Sequence, residues 1–146
     1  MLYFDTSFLA PLFKAEVRSL DVKQFVAGST PGQMAISHWT HVEFASVLGK
    51  NVRIGSMTAA QANVAAATFV TFVTRGCTVL DVTRRDFDTA RRFLADRHSG
   101  LRSGDALHLA IASNNAATSI YSLDRTMIAA GQSLGLPMNV GFSSTI

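Results

Sequence analysis

Short apolar runs recur along the chain, each followed by a longer segment whose apolar positions return at helical spacing. The runs are Leu2–Phe4, 34–36, Cys77–Leu80 and Ser119–Tyr121, with 138–140 as a candidate fifth. Runs this short, bounded by turn-forming residues, predict strands buried on both faces. After the first run, Asp5, Thr6 and Ser7 open a helix through about residue 13, with Pro11 making its start irregular. A helix over 15–26 is expected to turn Val17, Leu20 and Phe25 inward. Ser37 caps the next, which carries Trp39, Val42, Phe44, Val47 and Leu48 and is expected to break or bend between Gly49 and Gly55. An Ala-rich helix follows over 58–75 and stops at Gly76. Thr83 with Asp86 starts a helix that should reach His98. Residues 105–116 and 124–135 complete the set, and the tail 141–146 reads as a frayed end.

Strands alternating with helices predict one α/β domain over 1–146, a three-layer α/β/α sandwich on a mainly parallel four- or five-stranded sheet. Ligand sites in such sheets lie beyond the carboxyl ends of the strands. An apolar share of 48% with charged residues at 16% fits a globular core and excludes disorder. The net charge of +3 is modest, yet ten of the thirteen basic residues are Arg. Arg favours bidentate contacts with phosphate or carboxylate, so RNA or an acidic protein partner would suit it. The single cysteine, Cys77, excludes an internal disulfide framework and a cysteine-rich zinc site, and is expected to be a small apolar residue in a buried strand. This is compatible with a reduced, cytoplasmic setting. No stretch reaches about 18 uninterrupted apolar residues, and no leader pattern opens the chain, which argues against a membrane partner.

Four of the ten acidic residues fall where strands hand over to helices or on a helix beside such a junction: Asp5, Glu43, Asp105 and Asp124. Singly, each has an ordinary explanation. Asp5, Asp105 and Asp124 stand near helix starts, where a carboxylate satisfies free N–H groups, and Glu43 could be a solvated helix residue. Together, carboxylates converging on one sheet edge repel each other and need a cation to remain ionised. An all-oxygen set selects a hard ion, Mg²⁺ or Mn²⁺, and such ions suit phosphodiester hydrolysis.

The motifs that carry these acids resemble those of PIN-domain ribonucleases, most closely the VapC toxins of bacterial toxin–antitoxin pairs. Leu2-Tyr-Phe-Asp5-Thr-Ser is similar to the first motif, His41-Val-Glu43-Phe-Ala-Ser to the second, Leu101-Arg-Ser-Gly-Asp105-Ala-Leu-His-Leu-Ala to the third, and Ser122-Leu-Asp124-Arg-Thr-Met to the fourth. The resemblance covers nearly the whole chain. It implies a toxin that is a metal-dependent endoribonuclease, with Asp5, Glu43, Asp105 and Asp124 catalytic and Mg²⁺ or Mn²⁺ held by Asp5, Asp105 and Asp124. Asp124 would act partly through water, and Glu43 would shift between ligating and orienting a water. Thr6 and Ser122 would support the acids, and Arg102 would meet RNA phosphate or an antitoxin carboxylate. A homodimer, a VapB-like antitoxin and a tRNA or rRNA substrate are implied as well. Two positions depart from the pattern. Gly104 stands where Ala or a similar residue is expected, which loosens the helix start, and Asp96 could substitute for a ligand although its helix explains it as surface.

Other readings compete. A PIN-like scaffold without catalysis would keep the fold as a protein-interaction module. An aspartyl-phosphate enzyme would need a further acid where Ser7 stands, and dinucleotide binding would need a glycine-rich run after the first strand. His38 and His41 are neighbours on one helix face, but no further ligands stand at zinc-site spacing. His108 reads as core or as packing behind the site rather than as a catalytic group. Arg84, Arg85, Arg91, Arg92 and Arg97 make one helix basic, with Asp88 expected to pair with Arg84 and Arg92. Phe69, Phe72 and Val73 read most simply as core.

Overall fold

A computed structural model describes residues 1–14, 17–30 and 32–142. Its elements follow the alternation in the sequence. They are β1 (Leu2–Phe4), α1 (Thr6–Leu9), α2 (Ser19–Ala27), β2 (Met34–Ser37), α3 (His38–Arg53), α4 (Ala59–Gly76), β3 (Cys77–Leu80), α5 (Arg84–Phe93), α6 (Ser103–Asn114), β4 (Ser119–Tyr121), α7 (Arg125–Ser133) and β5 (Met138–Asn139). Among the described residues the sheet has five strands in the order β3-β2-β1-β4-β5, and every pairing is parallel. The expected α/β/α sandwich is therefore present, and 138–140 does supply the fifth strand, as Met138–Asn139.

Side-chain alternation along the two central strands builds the two outer layers. Tyr3 and Ile120 face one side, where Leu101, Leu107, Leu109, Ile111 and Met127 pack from α6, α7 and the loop before α6. Phe4 and Tyr121 face the other, onto Phe8, Val22, Phe44, Phe69 and Val73. The rings of Phe4 and Tyr121 stack at 4.9 Å between centroids, and Phe44 stacks on Phe69 at 4.3 Å. Both β1 and β4 are thus clamped between helices, and their carboxyl ends are rigid.

Several boundaries differ from expectation. The first helix is α-helical only through Leu9; Pro11 turns Ala10–Leu12 into a 3-10 turn, as its missing N–H and fixed φ favour at a helix start. The start of α2 expected at Ala15 lies outside the described residues, as do residues 143–146 of the tail. Within α2 Val22 is fully buried, whereas Val17, ahead of the helix, and Leu20 are 96% and 66% exposed. Phe25 does pack inward, edge-on to Phe8 at 5.5 Å. α3 runs unbroken through Gly49 and ends before Gly55, whose φ of 74° no longer fits a helix. Val42 on it is exposed. α5 stops at Phe93, short of His98, and α6 begins at Ser103, two residues before Asp105. Cys77 is half-buried on an edge strand rather than fully buried, and that burial pushes its thiol up to about 11. Among the described residues no helix is long and apolar enough to cross a membrane.

Phe4 has no exposed surface and touches rings on three sides. Phe4→Ala is expected to cost about 3–5 kcal/mol in denaturant unfolding. Val17→Ala, at an exposed site, should stay within about 0.5 kcal/mol of wild type.

Candidate active site

The strand order reverses direction between β1 and β4, and the crevice at their carboxyl ends is where an open parallel sheet offers a site. Asp5 leaves β1 there, its N–H donating to the Tyr121 carbonyl at 3.1 Å. Ser122 and Asp124 leave β4. Asp105 comes from the first turn of α6, Glu43 from α3. Asp5, Thr6, Ser7, Glu43, Arg102, Asp105, His108 and Asp124 line one cavity of about 290 Å³. All four acids from distant parts of the chain therefore meet at one place.

Asp5 is almost wholly buried. Its Oδ1 accepts from the Phe8 N–H at 2.8 Å, as the N-cap of α1. Its Oδ2 accepts from Ser122 Oγ at 2.7 Å, and Ser7 Oγ lies 2.9 Å from both oxygens. Burial pushes its carboxyl above the usual range, although the charge at His108 and these hydrogen bonds pull the other way. Asp124 caps α7, with Oδ1 accepting from the N–H groups of Thr126 at 2.8 Å and Met127 at 2.9 Å. The helix-cap explanation is thus correct for both residues, and it is compatible with a site because each cap uses Oδ1.

Asp105 is different. Its Oδ2 is buried with no hydrogen-bond partner, an uncommon and costly state for a carboxylate oxygen. Burial raises its pKa, and the nearby charges of Asp124 and Glu43 raise it further; Arg102 only partly offsets this. Negative charge at this point is only partly compensated by the protein itself. Hard oxygen donors and an orphaned carboxylate oxygen fit a divalent cation. Among the described residues no three acidic, His or Cys side chains stand close enough to share one ion as placed. An ion held jointly would require Asp105 and Asp124 to turn toward Asp5, whose oxygens are already held.

Glu43 sits in the opposite balance. Burial opposes its charge, but hydrogen bonds and charge from His108, with Thr6 and Trp39 adding to them, hold the carboxyl below the usual range. Its Oε2 accepts from Thr6 Oγ1 at 2.6 Å and meets His108 Nε2 at 2.5 Å. Trp39 Nε1 is buried nearby and adds to this pull, although it lies outside hydrogen-bond geometry. Ser7 and Tyr3 are the residues the sequence did not mark for the site, and His108, expected as core or as packing behind it, does lie behind Glu43. Ser7 was visible in the Asp5-Thr-Ser run, whereas Tyr3 looked like any strand residue.

The remaining candidates fall elsewhere. Asp96 is exposed and bonds the His98 N–H at 2.9 Å, outside the cavity. His38 pairs with Asp81 at 3.5 Å and His41 packs edge-on to Phe69 at 5.2 Å, both away from the cavity that the acids line. Asp88 pairs with Arg84 and with Arg91, at 3.9 and 3.5 Å; Arg92, the partner expected, instead reaches Thr89 at 2.8 Å. Phe69 and Val73 are buried core, as expected.

A PIN domain family model matches residues 2–132 of the chain. The fold is similar to VapC20 of Mycobacterium tuberculosis, described as a sarcin–ricin loop cleaving toxin, at 26% identity and TM-score 0.71, covering 90% of this chain and 95% of that one. It is similar to a toxin–antitoxin complex from Klebsiella pneumoniae at 19% identity and TM-score 0.66, covering 98% and 99%. VapBC2 from Rickettsia felis, bound to a promoter DNA fragment, aligns at 14% identity and TM-score 0.65, covering 95% and 98%. Among curated proteins no significant match was found.

Because both Asp105 and Asp5 have raised values, the folded protein binds their protons more tightly than the unfolded chain does. Stability is then lost as pH rises from the ordinary carboxylate range through the folded values, and stays lost at neutral pH. Asp105→Asn should therefore raise the melting temperature of the metal-free protein at neutral pH. That advantage should shrink as pH falls toward about 4. Thermal unfolding in chelator across this range checks it.

Proposed function

As the chain belongs to the PIN domain family, we propose that it is a metal-dependent endoribonuclease, the toxin of a VapBC-type toxin–antitoxin pair. The observation that carries this reading is the convergence of Asp5, Glu43, Asp105 and Asp124 on one cavity, with Asp105 Oδ2 buried and unpartnered. Asp5, Asp105 and Asp124 would hold Mg²⁺ or Mn²⁺. Such an ion lowers the pKa of a bound water and offsets negative charge at the phosphate.

The protein's own groups do the rest. Ser122 and Ser7 hold Asp5 through its own oxygens, so its position is set before any ligand arrives. Glu43, kept charged, orients the attacking water and accepts its proton. Arg102, exposed at the rim of the cavity, meets substrate phosphate, where a guanidinium fork is well suited.

The partners belong to the same reading. The Mycobacterium relative is a toxin that cleaves the sarcin–ricin loop, and the Klebsiella and Rickettsia neighbours are toxin–antitoxin assemblies. That likeness supports an antitoxin partner of the VapB kind; an RNA substrate of the tRNA or rRNA class and a homodimer are what this reading expects beyond it. Exposed apolar residues on two helices, Val64 and Val70 on α4 and Phe87 on α5, are consistent with protein contacts.

Wild-type protein with Mn²⁺ should cleave purified tRNA or rRNA, and chelator should stop it. Asp5→Asn should lower the cleavage rate by about a thousandfold or more, on the scale of losing an ion-based stabilisation of several kcal/mol. A catalytically inactive interaction module would show no cleavage with either protein; cleavage that survives both Asp5→Asn and chelator would contradict the metal mechanism.

A further inference from the structure

We propose that Tyr3 and His108 form a buried brace that positions Glu43 for the reaction, and that Gly104 belongs to the same device by leaving the space the carboxylate fills. The inference rests on the nuclease reading of the site and adds three positioning residues to it.

Tyr3 is 0% exposed and His108 1%, so neither can meet RNA. Yet they are joined in a line that ends on a catalytic carboxylate. Ser37 Oγ lies 3.0 Å from Tyr3 Oη, Tyr3 Oη lies 2.7 Å from His108 Nδ1, and His108 Nε2 lies 2.5 Å from Glu43 Oε2. A charged carboxylate has no proton to give, so Nε2 must be the donor in that last contact. In the neutral ring Nδ1 then accepts from the Tyr3 hydroxyl and Ser37 can donate to the phenol oxygen, whereas in the imidazolium Nδ1 donates to Tyr3 Oη; the line of contacts is kept in either state. Thr6 Oγ1 donates to the same Oε2. Two donors from different elements, α1 and α6, therefore fix a side chain that grows from α3.

The other carboxylate oxygen is placed by what is missing. A Cβ added to Gly104 would stand 2.7 Å from Glu43 Oε1 and 3.5 Å from the Trp39 ring. Gly104 lies in the first turn of α6, and its φ is outside the left-handed region, so backbone conformation does not demand glycine there. Glycine in a helix is disfavoured relative to alanine, so something local must compensate. The close approach of Glu43 does. The departure from the family pattern at this position is thus matched by the seat it makes for an acid.

A buried network of this kind could serve stability alone. Gly104→Ala separates the two roles, because alanine favours the helix while its methyl group displaces Glu43. The expected result is a melting temperature at or above wild type, together with cleavage of purified tRNA and rRNA in Mn²⁺ about tenfold or more slower. His108→Leu should slow cleavage similarly, and His108→Gln, whose amide can still donate to Glu43, should recover most of the rate. Gly104→Ala cleaving at the wild-type rate would overturn the proposal, as would His108→Gln performing no better than His108→Leu. Should His108→Leu fail to fold, Gly104→Ala carries the test. A readout independent of cleavage is the long-range ¹H–¹⁵N correlation spectrum of His108, expected to show the proton on Nε2. A proton on Nδ1 alone would overturn the brace. If wild type in Mn²⁺ cleaves no faster than Asp105→Asn, the nuclease reading fails, while the spectrum still judges the brace.

Discussion

Carboxylates crowded into one partly buried crevice repel each other and lose hydration, and this cost shapes the rest of the molecule. The chain meets it differently at each acid. Asp5 is surrounded by donors from Ser7, Ser122 and the Phe8 N–H. Asp124 spends one oxygen on the start of α7. Glu43 is satisfied by Thr6 and His108. Asp105 alone keeps a buried oxygen without a partner. The residual demand for positive charge is therefore concentrated at one point, which is how a protein keeps a cation site selective while remaining folded without the ion.

The scaffold makes such crowding tolerable. β1 and β4 are paired through Leu2–Ser119, Tyr3–Ile120 and Phe4–Tyr121, with apolar side chains locked on both faces. Their ends cannot separate to relieve the repulsion without unpacking two cores. Tyr3 illustrates the economy of this arrangement, since its ring belongs to one core while its hydroxyl holds His108. Packing and chemistry share this residue, so a stability change at Tyr3 is not separable from function by burial alone.

Much of this was legible in the chain itself. Strand runs at Leu2–Phe4 and Ser119–Tyr121 marked the centre of the sheet, because short strands covered on both faces are largely apolar, and Cys77–Leu80 marked its half-buried edge. The acids that line the cavity were readable because each sits in a short motif at a strand end or on a helix beside one. What escaped depended on partners far away in sequence. Nothing adjacent to His108 indicates that its ring would reach Tyr3 and Glu43, residues 105 and 65 positions away. Gly104 read as a loosened helix start, since only the folded chain brings Glu43 against it. The inward face of α2 was misassigned to Val17 and Leu20 because a short helix at the sheet's flank has too few apolar positions to fix its phase. Gly49 read as a breaker, but a single helical glycine costs only about 1 kcal/mol, which the packing of Phe44 and Leu48 on the same helix outweighs.

The central claim is that the unmet charge at Asp105 exists to hold a divalent ion together with Asp5 and Asp124. Diffraction from crystals soaked in Mn²⁺, recorded at the manganese absorption edge, addresses it directly. The account expects one or two anomalous peaks inside the cavity, bonded to oxygens of Asp5 and Asp105 and reaching Asp124 directly or through water. Full occupancy of Mn²⁺ elsewhere on the protein with an empty cavity, or an ion there that bypasses Asp105, would contradict it.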